Sequence, residues 1–153
     1  MFRFKLSISV VVASCFFSAS SLVFALGTND ALEISAHGVM VQKFRVNLIA
    51  KNVANAFTLM TDKGVPYTKQ YAVIVSDRNG PKVQGVAESN EPFGKVYDPS
   101  HPFSNKYGFI HIPNVNLAEE MVDLVYTNVL YEANTTAFKS ARTMYQQALE
   151  LVK

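Results

Sequence analysis

Apolar residues between Asn29 and Phe57 recur at alternating steps of four and three: Leu32, Ala36, Val39, Val46, Ala50, Val53 and Phe57, with Lys43 in the one polar step. That spacing predicts a helix that pairs with another helix. Ile34, Val41 and Leu48 form a second row seven apart, so the helix is apolar on more than one side. Asn29 suits the N-cap, and Asp30 and Glu33 suit the first turn, where carboxylates meet the positive end of the helix dipole.

The same texture returns at the other end of the chain. Asn116 followed by Glu119 reads as a capping box. Leu117, Met121, Leu124, Tyr131, Phe138, Tyr145, Leu149 and Val152 then step by four and three, with Asn128, Thr135 and Arg142 in the remaining places. No glycine or proline interrupts this run to Lys153. Such a helix would be about 55 Å long at 1.5 Å per residue, too long for a small chain to wrap. A further row, Val122, Val125, Val129 and Ala133, has no obvious partner within the chain. Unmatched apolar rows on both helices imply self-assembly or hetero-assembly, because a monomer would expose them.

Between the helices the period changes. Tyr71 to Ser76 is a short β-rich run, Asp77 to Gly80 a turn, and "VQGVAES" a return strand. Pro81 confines that strand to an edge or a strand start. "YGFIHI", Tyr107 to Ile112, alternates like another strand. The predicted fold is therefore mainly α with a small β-rich insert of three or four short strands, and long N- and C-terminal helices that pair as a coiled-coil-like bundle. The expected parts are a leader over 1–25, an N-terminal helix over 29–57, an insert over 58–114 and a C-terminal helix over 115–153.

The leader bears on the charge and redox chemistry of the chain. Arg3 and Lys5 precede an uncharged apolar run from Leu6 to Phe17, and Val23 and Ala25 are small enough for a cleavage site. An uncleaved anchor, or lipid on Cys15, is the other reading of this segment. Cleavage after Ala25 removes Arg3, Lys5 and the only cysteine, and takes the formal charge from +2 to zero. A neutral chain lacks the basic stripe that nucleic acid requires. An exported chain without disulfides must hold by packing or by assembly.

Catalytic signals are sparse. Asp98 and His101 in "YDPSHP" could orient a general base, but no nucleophile accompanies them. Turn capping by Asp98 and Ser100 is the better reading. His37, His101 and His111 share no metal-ligand spacing. Glu119, Glu120 and Asp123 fit a helix start through capping and the dipole. "NTT" at Asn134 matches a glycosylation sequon but falls mid-helix.

Several stretches resemble one known family. "ALEISAHGVMVQKFRVNLIAKNVANA", Ala31 to Ala56, is similar to the N-terminal signature of bacterial flagellar rod and hook proteins, and Asn52 to Ala56 matches its N-x-A-N-A core. Gly64, Pro66 and Tyr67 resemble its G-x-P-Y element. "KVYDPSHP", "YGFIHIPNVN", "EEMVDLV", "YEAN" and "ALEL" follow, in order and spacing, the pattern of the proximal-rod members. The resemblance covers nearly all of residues 29–153.

The resemblance implies a structural subunit without enzymatic activity, cofactor or small-molecule substrate. It implies terminal helices packed side by side into the inner tube of a rod that crosses the periplasm and carries torque, with the insert outside. The implied partners are other rod subunits, proximal and distal, the basal-body base and the export apparatus, together with further copies of the chain. On this reading Val39, Val46, Asn52, Val53, Asn55, Leu124, Tyr131, Phe138 and Tyr145 are the candidate assembly residues. Tyr97, Asp98, Pro99, Pro102, Pro113, Asn114 and Asn116 form the joint that returns the chain from insert to helix.

The leader departs from the family pattern, whose members leave through the flagellar export channel without a cleavable signal. A start near Leu26, a Sec route, or a relative that has left the flagellum each accommodates it. The competing functional reading is a periplasmic or lipid-anchored binding module that keeps the rod fold.

Overall fold

A computed structural model describes residues 30–151. The leader with Cys15, the Asn29 cap, Val152 and Lys153 lie outside the described residues. Helix α1 spans 30–54 and ends in turns over 55–57. A hairpin comes next, β1 (Gln70–Asp77) antiparallel to β2 (Gly80–Glu88), with a bulge between Val73 and Ile74. A second hairpin pairs β3 (Gly94–Tyr97) with β4 (Phe109–Ile112). Helix α2 (Leu117–Glu150) has 34 residues and is about 51 Å long. The fold is thus two helices and a small insert of four short antiparallel strands.

The helices lie side by side and antiparallel. Asn52 of α1 meets Glu120 of α2, and Gly38 meets Asn134, so equal steps along the two helices run in opposite senses. The approach at Gly38 is close enough that a Cβ there would stand 2.5 Å from Asn134 Oδ1, so a larger residue would require the Asn134 side chain to shift. The hairpin β1–β2 folds back along α1 instead of projecting away. Its base is tied at Asn52, which donates to the Gln70 carbonyl at 2.9 Å. Its tip is tied at His37, whose Nδ1 lies 2.7 Å from the Asn79 carbonyl, and at Glu33, which accepts from Asn79 Nδ2 at 3.0 Å.

The seam on α2 is shifted from the one that hydrophobicity suggests. Glu120, Thr127 and Ala141 are buried and Asn134 is half-buried. These residues are seven apart and alternate with Leu124, Tyr131, Phe138 and Tyr145. Met121, Asn128 and Leu149, expected in the seam, are exposed. Leu124, Phe138 and Tyr145 of the apolar half are half-buried and Tyr131 is exposed, while the other half is polar or small where α1 comes closest. On α1 the buried positions are Gly38, Val41, Ile49 and Asn52, while Ala50 is exposed. Phe57 sits past the helix end with 80% of its surface exposed.

The predicted joint is itself folded. Lys95 to Tyr97 belong to β3, a strand the sequence pattern did not reveal, and pair with β4 as Val96↔Ile110 and Tyr97↔Phe109. The strand predicted over Tyr107 to Ile112 begins only at Phe109, because Gly108 turns the chain with φ +78. A side chain at Gly108 would also meet the Tyr97 ring at 2.8 Å.

Candidate assembly site

Three sequence signatures converge on one buried polar knot. Asn52 is 2% exposed and uses both ends of its amide. Its Nδ2 donates to the Gln70 carbonyl and, at 3.1 Å, to Glu120 Oε2. Its Oδ1 accepts from the Tyr67 hydroxyl at 2.9 Å and from the Gln70 N–H at 3.0 Å. Glu120, 1% exposed, is met at Oε1 by the Lys69 ammonium at 2.9 Å. The N-x-A-N-A core, the G-x-P-Y element and the start of α2 are thereby fastened together.

The charges in the knot sustain one another. Burial pushes the Tyr67 phenol above its ordinary pKa, and the charges of Glu120 and Glu88 add to that. Burial works against the Lys69 ammonium, but its hydrogen bond to Glu120 and the charges of Glu120, Glu119 and Asp123 outweigh this and raise its pKa. A carboxylate taken out of water is tolerable only with such partners. Glu120 is therefore not the dipole-compensating surface acid that its place in the first turn suggests. That role falls to Glu119, which is exposed and accepts from Asn116 Nδ2 at 3.1 Å. Asn116 caps α2 through its Oδ1, which accepts from the Ala118 N–H at 3.1 Å.

The joint residues have local partners. Asn114 Oδ1 accepts from the Lys69 N–H at 2.8 Å and its Nδ2 donates to the Glu91 carbonyl at 3.0 Å, which binds three segments ahead of α2. Pro113 is buried. Tyr97 packs edge-on against Phe109 at 5.3 Å, with Pro99 and Pro102 in the loop beyond. Asp98 Oδ1 accepts from the Ser100 hydroxyl at 2.6 Å and its N–H at 3.1 Å, and the hydroxyl bond is the larger cause of the lowered Asp98 pKa. His101 Nδ1 accepts from the Phe103 N–H at 3.2 Å. Both members of the suspected acid–base pair thus serve their own turn. Among the described residues, no three His, Cys, Asp or Glu side chains gather as a metal site. Asn134 of the sequon faces Gly38, with its Nδ2 given to the Leu130 carbonyl.

The remaining candidate residues occupy two settings. Leu124, Phe138 and Tyr145 are half-buried on the side of α2 that meets α1, and Tyr131 lies at its edge. Val39, Val46 and Val53 form a half-buried row on α1. Asn55 closes α1 by donating from Nδ2 to the Lys51 carbonyl at 2.8 Å. Sequence reasoning did not single out Lys69 and Gln70, and it placed Tyr67 in a signature and Glu120 at a helix start without joining either to Asn52. A glutamate at a seam position, in step with Leu124 and Thr127, was the available signal, since a polar group there must find a buried partner.

The opposite side of α2 is apolar and bare. Val122 is 68% and Val125 65% exposed, and Met121, Tyr126 and Val129 are exposed beside them. An apolar groove of about 550 Å³ lined by Phe57, Val96, Ile112, Val115 and Leu117 lies at the start of α2.

Residues 107–151 match the family described as flagellar basal body rod FlgEFG protein C-terminal. A flagellar basal-body rod protein FlgC of Borreliella burgdorferi is 30% identical over 151 residues, covering 84% of this chain and 99% of the relative. FlgC of Bacillus subtilis is 32% identical, over 80% of this chain and 97% of the relative. FlgC of Salmonella typhimurium is 30% identical, over 80% and 96%. With its two antiparallel helices, its folded joint and these relatives, the chain belongs to the FlgC family of flagellar basal-body rod proteins.

Proposed function

We propose that the chain is a structural subunit of the proximal rod of the flagellar basal body, acting by assembly and not by catalysis. The observation that carries this reading is the outward face of α2, where Met121, Val122, Val125 and Val129 stand in water on a helix whose other side is already packed. Covering that face on neighbouring subunits removes apolar area from water, at about 25 cal/mol per Å². Many parallel helix contacts then give a shaft stiff enough to pass torque across the periplasm. Helices α1 and α2 form the inner wall, and the insert between them lies outside it. The partners are other rod subunits above and below, the basal-body base and the export apparatus.

The polar knot suits that task. It fixes the register of the two helices and anchors the hairpin, so every copy presents the same outward face. Mass spectrometry of purified hook–basal bodies tests the proposal. The chain should be recovered there in stoichiometric amount. Its absence from basal bodies, with the chain present in the periplasmic or membrane fraction, would reject the rod role.

A further inference from the structure

The geometry points to Asn79 as a site of spontaneous covalent modification, deamidation through the Gly80 nitrogen, with its rate and its consequence both set by the clasp of the hairpin tip on α1. This goes beyond the rod-subunit reading and does not depend on it. Asn79 is the only asparagine in the chain that is followed by glycine. It is exposed, in the two-residue turn between Asp77 and Gly80 that closes β1 on β2. A following residue with a Cβ would screen its own backbone nitrogen from the asparagine side chain. Gly80 has none, and its φ of +107 lies where other side chains are strained, so the turn itself calls for glycine there.

The reaction consumes only water. The Gly80 nitrogen attacks Asn79 Cγ, the Cγ–Nδ2 bond breaks, and Nδ2 leaves as ammonia with the proton of the Gly80 N–H. Water then opens the succinimide ring. Attack at Cγ leaves an aspartyl residue. Attack at the main-chain carbonyl carbon leaves an isoaspartyl residue, in which the chain runs through the former side chain. Nothing is oxidised or reduced. The clasp opposes ring closure, because it holds the amide on α1: Asn79 Nδ2 donates to Glu33 Oε1 at 3.0 Å, and the Asn79 carbonyl lies 2.7 Å from His37 Nδ1. One exposed hydrogen bond to Glu33 is a weak restraint, so it slows the reaction by about two- to tenfold and does not stop it.

The same clasp makes the product disruptive. Either product replaces the Nδ2 donor with a carboxylate facing Glu33, so a hydrogen bond becomes a like-charge contact. His37 keeps an oxygen acceptor in both products, so Glu33 is the contact that turns repulsive. The tip has little room to adjust, since a Cβ at Gly80 would stand 3.1 Å from Ile34 Cα. An isoaspartyl link adds a further main-chain atom at that point. The tip therefore lifts from α1, while the base of the hairpin stays tied through Asn52 and Gln70.

Peptide mass spectrometry of the purified full-length chain, held under mildly alkaline conditions, tests the site. The peptide containing Asn79 should gain about 1 Da before any other asparagine peptide does, and Asn79→Gln should abolish the gain. Glu33→Ala should speed it by about two- to tenfold, while Glu33→Gln, which keeps an acceptor, should stay near the unmodified rate. No gain at Asn79, while a synthetic peptide of the turn converts, would overturn the site. Equal rates in Glu33→Ala and Glu33→Gln would overturn the protective clasp. Hydrogen exchange of Asn79→Asp reads the consequence. The amides of β1 and β2 should exchange at least about tenfold faster and those of α2 as before. Adding Glu33→Gln, which removes the like charge, should restore slow exchange. Exchange in Asn79→Asp equal to that of the unmodified chain would overturn the release of the tip.

Discussion

The two sides of α2 invert the usual division of residues. The side packed on α1 holds Glu120, Thr127 and Asn134, and Thr127 is 0% exposed. The side in water holds Met121, Val122, Val125 and Val129. In a self-sufficient helical pair the polar residues would face out. Here the inner side sets polar groups among Leu124, Phe138 and Tyr145 and so specifies one register, while the outer side is the one that, on the proposed rod-subunit reading, another chain covers. Buried polar groups cost stability but can select a single alignment, as a polar residue at a coiled-coil seam does.

Breaking the inner side should have the largest effect. Lys69→Met leaves the Glu120 carboxylate buried without its cation, and should cost about 3–5 kcal/mol in urea unfolding. Adding Glu120→Gln should recover most of that loss, because the amide still accepts from Asn52 and carries no charge. Failure of the second change to rescue the first would show that the pair is not coupled.

Leu124→Asp comes next. It should cost about 2–4 kcal/mol through lost packing and a charge placed against α1. Its neighbour Val125 faces the other way, and Val125→Asp should shift stability by no more than about 0.5 kcal/mol. Equal losses at the two positions, read by thermal unfolding, would erase the distinction between the sides.

Alkaline pH probes the knot without mutation. Tyr67 and Lys69 both have folded pKa values raised above their unfolded ones. Their contribution is complete below the unfolded values, about 10 for tyrosine and 10.4 for lysine, and is lost as pH rises through the folded values. Stability followed by denaturant midpoint should therefore hold to about pH 9.5 and then fall, and Lys69→Met should make the fall shallower. The smallest effect belongs to Thr127→Val. The Thr127 hydroxyl is buried without a hydrogen-bond partner among the described residues. Its replacement by an isosteric methyl should be neutral or stabilise by up to about 1 kcal/mol, seen as a higher melting temperature.

Helix periodicity made most of the fold legible in the sequence. Both long helices, the Asn116 cap, the β1–β2 hairpin and the small insert between the helices are dictated by spacing and turn chemistry. Position within the seam was less legible, because hydrophobicity favours Met121 and Leu149 while the close approach at Gly38 falls on Asn134. The strand β3 escaped because "GKVY" is short and takes its order from pairing with β4. The knot escaped because its members are distant in sequence. Asn52 was visible as part of a signature, but only the folded chain brings Tyr67, Lys69 and Glu120 to it.

The central claim is that the apolar outer side of α2 exists for assembly and not for folding. Its most direct test is the amount of Val125→Asp chain in purified hook–basal bodies, measured beside the melting temperature of the isolated chain. The account predicts an unchanged melting temperature and no incorporation. Incorporation at the level of the unmodified chain would contradict it.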